Sequence, residues 1–230
     1  MAENLERVGS PSIKPLIEVL EEGNETGAQG AYGSVQAAQV LGQLRAREAR
    51  TALGRSIRSE SSVDLRAKSA LALGKIGDPD DIPTLLEASE DEAWPVRAQA
   101  ASALGMIGEV SSIPSLQKHT VDREWWVRLN ASRSLANLGP AGERALADIL
   151  ENEDRYARER AAATLEERGI TLRAVEELVI PGERGAGARA MIQGMVQAGA
   201  VRYLERLART LPDENIRLTL RRTMTEARES

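Results

Sequence analysis

Six apolar residues recur down this chain at an almost constant interval. Leu41, Leu73, Leu104, Leu135, Leu165 and Val196 stand 32, 31, 31, 30 and 31 residues apart. Each lies in a similar block: LRAKSALALGKIG from Leu65, VRAQAASALGMIG from Val96, VRLNASRSLANLG from Val127 and ARERAAATLEERG from Ala157. A period of about thirty residues marks stacked helical hairpins, each packed only on its neighbours. The expected fold is all-α: a right-handed α-α superhelix of about six to seven hairpins.

Within one block, Val96, Ala100, Ala101, Leu104 and Ile107 make a single apolar stripe on a helix. Gly108 then stands where a helix end wants positive φ, and Gly77, Gly139 and Gly169 hold the same place in their blocks. A shorter second helix follows each time. Pro83 and Pro114 fall in its first turn, where a missing N–H costs little. The spacing predicts A helices near 33–44, 64–76, 95–107, 126–138, 155–168, 186–198 and 214–227. It predicts B helices near 12–22, 46–58, 80–89, 111–119, 141–151, 171–180 and 200–210.

The chain then reads as one solenoid over 1–230. Residues 1–32 supply a cap helix and a Gly-rich loop, 33–211 the repeats, and 212–230 a polar capping helix. Opening on a B helix leaves its A side empty or covered by residues 1–10, and leaves room for a larger parent protein. The stretch GNETGAQGAYGS, residues 23–34, predicts a mobile loop; its spacing does not match a phosphate-cradling motif.

Composition narrows the function classes. The net charge of −5 argues against a general nucleic-acid binder. No apolar run approaches the roughly 20 residues of a membrane span, and no signal peptide is visible. The chain has no Cys, which fits a cytoplasmic protein. Four of the 30 cations are Lys (Lys14, Lys68, Lys75, Lys118) and 26 are Arg, a balance that suggests a GC-rich prokaryotic source. A monomer or weak oligomer is expected.

The blocks resemble HEAT repeats of the short bacterial and archaeal type named for phycobiliprotein lyases. The resemblance rests on Leu65-Arg66…Leu73-Gly74-Lys75-Ile76-Gly77, Val96-Arg97…Leu104-Gly105-Met106-Ile107-Gly108 and Val127-Arg128…Leu135-Ala136-Asn137-Leu138-Gly139. It fades through Ala157-Arg158, Ala188-Arg189 and Ile216-Arg217, and covers about residues 33–227. It implies a binding scaffold. HEAT-like deoxyhypusine hydroxylases hold two irons with paired His-Glu motifs. This chain has one His, His119, followed by Thr120, so that branch is excluded. Bilin lyase subunits share the repeat type and imply the alternative of an accessory subunit acting with a second chain, though no motif singles them out. DNA glycosylases built from such repeats would answer to Asp122, Trp125 and Trp126; the helix-start position and acidic balance argue against them.

Two constellations remain. Arg66, Arg97, Arg128, Arg158, Arg189 and Arg217 recur once per repeat. They form either a basic stripe for an anionic partner or a structural ladder pairing with neighbouring acids such as Asp91, Asp122 and Asp154. Trp94 and Trp125 are 31 apart, and Trp126 and Tyr156 are 30 apart, all at A-helix starts. They read either as a partner-binding edge or as staples holding loops. The B helices also carry uneven charge. Arg47, Arg50, Arg55 and Arg58 lie on one, Asp78, Asp80, Asp81, Glu87, Glu90, Asp91 and Glu92 around the next, and Arg202, Arg206 and Arg209 near the end. This pattern would orient a partner on the concave face or merely form a solvated face. His119 is expected at the surface or in a cap. No catalytic residue, metal set or cofactor loop is found, and the expected role is a non-catalytic scaffold or adaptor for a protein partner.

Overall fold

The computed structural model describes residues 12–22, 31–58 and 62–229. The proposed cover at 1–10 and residues 23–30 of the Gly-rich stretch lie outside the described residues; residues 31–34 open a helix. The described residues form fourteen α-helices and no strand. These are α1 (12–22), α2 (Ala31–Gln43), α3 (Arg50–Arg58), α4 (Val63–Ile76), α5 (Ile82–Ala88), α6 (Trp94–Ile107) and α7 (Ile113–His119). After them come α8 (Trp125–Asn137), α9 (Gly139–Ile149), α10 (Arg155–Glu167), α11 (Ile170–Glu177), α12 (Glu183–Gln197), α13 (Val201–Thr210) and α14 (Glu214–Glu229). They fall into two compact units, Met1–Asn137 and Leu138–Ser230.

The periodic leucines explain why the helices stack. Leu41, Leu73, Leu104, Leu135 and Leu165 are wholly buried, and Val196 nearly so. In the first unit the A helices α2, α4, α6 and α8 pack in sequence, each on the next. The B helices α3, α5 and α7 lie on the A helices that follow them. A short 3₁₀ turn (Arg47–Ala49, Pro79–Asp81, Val110–Ser112) leads into each of these B helices, a common way to tighten a helix entry.

One cause of the close stacking went unread in the sequence. The residue after Leu41, Leu73 and Leu104 is glycine, and the residue before the next periodic leucine is small: Ala72, Ala103 and Ser134. A Cβ on Gly42 would lie 2.8 Å from Ala72 Cα, and one on Gly74 would lie 2.5 Å from Ala103 Cα. One on Gly105 would lie 2.3 Å from Ser134 Oγ and 2.7 Å from Ser134 Cα. Backbone therefore rests on side chain with nothing between, as small-residue helix contacts allow. Asn130 Nδ2 and Ser134 Oγ of α8 use that approach to donate to the Ala98 and Ala101 carbonyls of α6, both at 2.8 Å.

In the second unit α9 and α11 flank α10, α12 packs on α11 and α14, and α13 packs on α14. Its core is built from Leu146, Leu150, Val175, Ile192, Met195, Leu204 and Leu220. The glycine register continues here as Glu166. Burial pushes its carboxyl above the usual range, against the pull of Arg206 and with the push of Glu167. α12 begins three residues ahead of the expected 186, because Gly182 turns the chain and Glu183 favours the positive end of a helix.

Helix ends follow the glycine rule. Gly77 and Gly108 adopt φ of 77° and 85° and bond back to the Leu73 and Leu104 carbonyls, at 3.0 and 3.1 Å. In the repeat before them, the equivalent residue is Arg45, at φ 51°. A side chain in that conformation costs about 1–2 kcal/mol that glycine avoids. Arg45→Gly is expected to raise stability by about 1 kcal/mol, read as a higher urea midpoint with an unchanged slope.

Candidate functional site

The exposed apolar side chains form a register of their own. Tyr32, Val63, Trp94, Trp125 and Tyr156 stand at successive intervals of 31 residues. They are 81%, 36%, 40%, 46% and 65% exposed, and Trp126 is 53% exposed. Each is the first or second residue of its helix: α2, α4, α6, α8 and α10. The first turn projects past the packed stripe, so the same register that buries Leu73 and Leu104 leaves these positions at the surface. Trp125 and Trp126 meet edge to face, with centroids 4.6 Å apart and planes at 75°. Tyr32, Val63, Trp94, Trp125 and Trp126 belong to the first unit and Tyr156 to the second. Sequence reasoning matched the tryptophans but missed Tyr32 and Val63. The unbroken interval of 31 was the signal, masked at Val63 by its different side chain.

The recurrent arginines turn inward. Arg66 Nε and Nη2 donate to the two Asp91 carboxylate oxygens at 2.9 and 3.0 Å. Arg97 makes the same bidentate pair with Asp122 at 2.8 and 3.0 Å. Arg97 Nη1 also reaches the Asp91 and Glu92 carbonyls, both at 2.9 Å. Arg128 Nη1 bonds the Asp122 carbonyl and Arg158 Nη1 the Asn152 and Glu153 carbonyls, while Arg217 Nη1 bonds the Leu211 carbonyl. Arg189, half-buried on α12, makes no such bond among the described residues.

The acids close the loops from the other side. Asp91 Oδ1 accepts from Ala93 N and Asp122 Oδ1 from Glu124 N, both at 2.8 Å. The third loop gives that part to Asn152, which accepts from Asp154 N. Asp154 instead caps α10 through Ala157 N at 2.7 Å. For Asp122, burial works against the charge. The Arg97 bond, the Glu124 N–H and the charges of Arg97 and His119 outweigh it and hold the carboxyl below its usual range.

His119 is 4% exposed rather than at the surface. Its Nε2 donates to the Ser89 carbonyl, and its Nδ1 is buried without a partner. It follows Ile57 and Ala88 in the register, both buried, so its place at the inner side of a B helix is inherited from the repeat. The charges that looked uneven are largely paired across adjacent repeats. Arg50 bonds Asp81 and Asp78, Arg58 bonds Glu87 and Thr84, Arg55 bonds Glu21, and Lys118 bonds Glu90.

Two shallow clefts of ≈ 540 and ≈ 470 Å³ lie beside Arg66 and Arg97, one repeat apart. A cleft of ≈ 910 Å³ in the second unit is lined by α9, α11 and α12, including Pro140, Ile170, Ala174, Ala188 and Met191. The ion pairs Glu143–Arg173 and Glu177–Arg184 lie along it. Among the described residues, no helix is long and apolar enough to cross a membrane.

Known proteins place the architecture. Escherichia coli YibA superposes with a TM-score of 0.54 at 16% identity, over 95% of this chain and 83% of that one. The archaeal HEAT-like repeats protein from Thermococcus onnurineus NA1 gives 0.48 at 13% identity, over 94% and 97%. The complex of CpcE and CpcF of phycocyanin lyase from Nostoc sp. PCC7120 gives 0.36 at 20% identity, over 85% and 89%. No curated protein matches the sequence. The family model described as HEAT repeats matches residues 13–105, 59–136 and 85–166. With paired helices, a buried leucine register and more than half its length matched, the chain belongs to the HEAT repeat family.

Proposed function

We propose that this protein is a non-catalytic scaffold that binds a protein partner along the exposed aromatic row. The observation that supports this is the register itself: Trp94, Trp125 and Trp126 stand at the surface on helices whose inner faces are fully packed. Large rings held at fixed positions supply contact area with little ordering cost, and Trp and Tyr dominate binding hot spots. The arginine ladder does not compete for this role, because Arg66 and Arg97 spend their donors within the loops.

The test compares wild type with Trp94→Ala/Trp125→Ala in affinity capture from native lysate, with circular dichroism to confirm that both are folded. The expected result is a specific protein retained by wild type and lost with the double variant, a change of about tenfold or more in affinity for a hot-spot pair. Equal retention by both would move the interface to the B-helix surface and leave the rings as loop staples.

A further inference from the structure

We propose that the row Tyr32–Val63–Trp94–Trp125, with Trp126 beside it, takes an extended, proline-rich segment carrying positive charge. This rests on the reading of the row as a binding edge and adds the class of ligand. Three observations on the first unit carry it.

The first is spacing. The row advances one residue per A helix, and packed helices lie about 8–10 Å apart. The bare contacts at Gly42, Gly74 and Gly105 hold these helices toward the close end of that range. A polyproline II chain repeats its face every three residues of 3.1 Å rise, or about 9 Å. A β-strand repeats its face at about 6.8 Å, which falls out of step after one repeat. A helix repeats at about 10.8 Å over two turns, but it docks by a wide stripe laid in a groove. This row is mostly one side chain wide.

The second is ring geometry. Trp125 and Trp126 stand edge to face at 75° with centroids 4.6 Å apart, and each keeps about half of its surface in water. Flat aromatic walls are how proline-rich chains are held, since the pyrrolidine ring presents a flat apolar face and the preformed chain loses little entropy.

The third is charge. Asp64 follows Val63, Glu92 precedes Trp94 by two residues and Glu124 precedes Trp125 by one. None of the three carboxylates makes an ion pair among the described residues, whereas the carboxylates of Asp91 and Asp122 are held by Arg66 and Arg97 respectively. Arg66, Arg97 and Arg128 are turned inward, which leaves exposed Arg123 as the one of these four cations that donates no side-chain hydrogen bond. Three carboxylates outside any ion pair, Asp64, Glu92 and Glu124, thus stand beside the row against one exposed cation, Arg123, and this acidic balance selects a basic ligand.

The three tryptophans of the chain all lie in this row, so intrinsic fluorescence reports on the site alone. The full chain is titrated with a nine-residue peptide of three Arg-Pro-Pro units, and separately with Glu-Pro-Pro and Arg-Gly-Gly peptides of the same length. The expected result is a saturable shift of tryptophan emission with Arg-Pro-Pro, and at least tenfold weaker binding of each control. Trp94→Ala, which keeps two reporters, is expected to weaken binding about tenfold. Glu92→Gln/Glu124→Gln, which leaves rings and packing in place, is expected to weaken Arg-Pro-Pro but not Glu-Pro-Pro.

Equal binding of Arg-Gly-Gly would overturn the proposal, since charge alone would then suffice. So would the absence of saturation at millimolar peptide, or an emission shift on phosphatidylcholine vesicles in place of the peptide. If the peptide fails while Trp94→Ala/Trp125→Ala still loses its captured partner, the ligand class is wrong and the binding edge stands. If both fail, the edge itself is wrong.

Discussion

Gly105→Ala is expected to unfold this protein at a markedly lower temperature than wild type. The added Cβ would lie 2.4 Å from Ser134 Cβ and 2.7 Å from Ser134 Cα, so rotating a side chain cannot relieve it. α6 and α8 must move apart, and the bond from Ser134 Oγ to the Ala101 carbonyl, 2.8 Å long, goes with them. Overpacking of a core costs about 1–3 kcal/mol and sometimes more, and a backbone collision belongs at the upper end. About 3 kcal/mol corresponds to a fall of roughly 6–12 °C for a chain of this size. Gly54→Ala is the control with the opposite sign. Its Cβ would meet nothing nearer than Arg58 Nη1 at 3.9 Å, and a glycine replaced inside a helix raises stability by about 0.5–1 kcal/mol. Thermal unfolding followed by circular dichroism separates the two. Similar midpoints for both variants would show that the glycine contact is not what sets the helix spacing.

Asp122→Ala is the second large effect. Arg97 and Asp122 keep only 9% and 12% of their side-chain surface in water. Removing the acid strands a buried guanidinium and frees Glu124 N, which Asp122 Oδ1 holds at 2.8 Å. Breaking one half of a buried pair costs about 3–5 kcal/mol; the residual exposure here favours about 3. Asp122→Asn keeps an acceptor for Glu124 N and isolates the charge. The Asp122 carboxyl is held below its usual range in the fold, so its contribution is complete above the unfolded value of about 3.9. It is lost as the pH falls from there through the folded value. The stability gap between wild type and Asp122→Asn should therefore be constant near neutrality and shrink below about pH 4. A gap that persists unchanged into strong acid would mean that the ion pair contributes nothing and the difference is steric.

What the sequence disclosed was local. The leucine interval, the glycines that end the A helices and the prolines in the first turn of α5 and α7 each act within a few residues, so their spacing carries their meaning. What it hid depends on a neighbour about 31 residues away. Gly74 looks like an ordinary helix breaker until Ala103 is seen against it. His119 looks like a surface residue until it is set in line with Ile57 and Ala88. Asp154 and Asn152 are two residues apart, and only the turn geometry shows that the latter closes the loop as Asp91 and Asp122 do. The aromatic row was half legible for the same reason: residue type pointed to Trp94 and Trp125, and position alone pointed to Tyr32 and Val63.

The arginines also set the step in which such an array can change length. The loop at Asp91 is gripped by Arg66 through its carboxylate and by Arg97 through its carbonyl, and the loop at Asp122 by Arg97 and Arg128 in turn. No hairpin therefore contains its own full set of partners. Each hands a cation forward and takes one from behind, like links that close only on the next link. Excising an arbitrary segment orphans a buried charge at the cut. Between Arg66 and Asp122, excising one whole period brings an equivalent arginine against an equivalent acid. Over this stretch the heritable module is thus the interval and not the helix pair, so recombination there yields a shorter or longer protein with the buried arginine still matched to an acid.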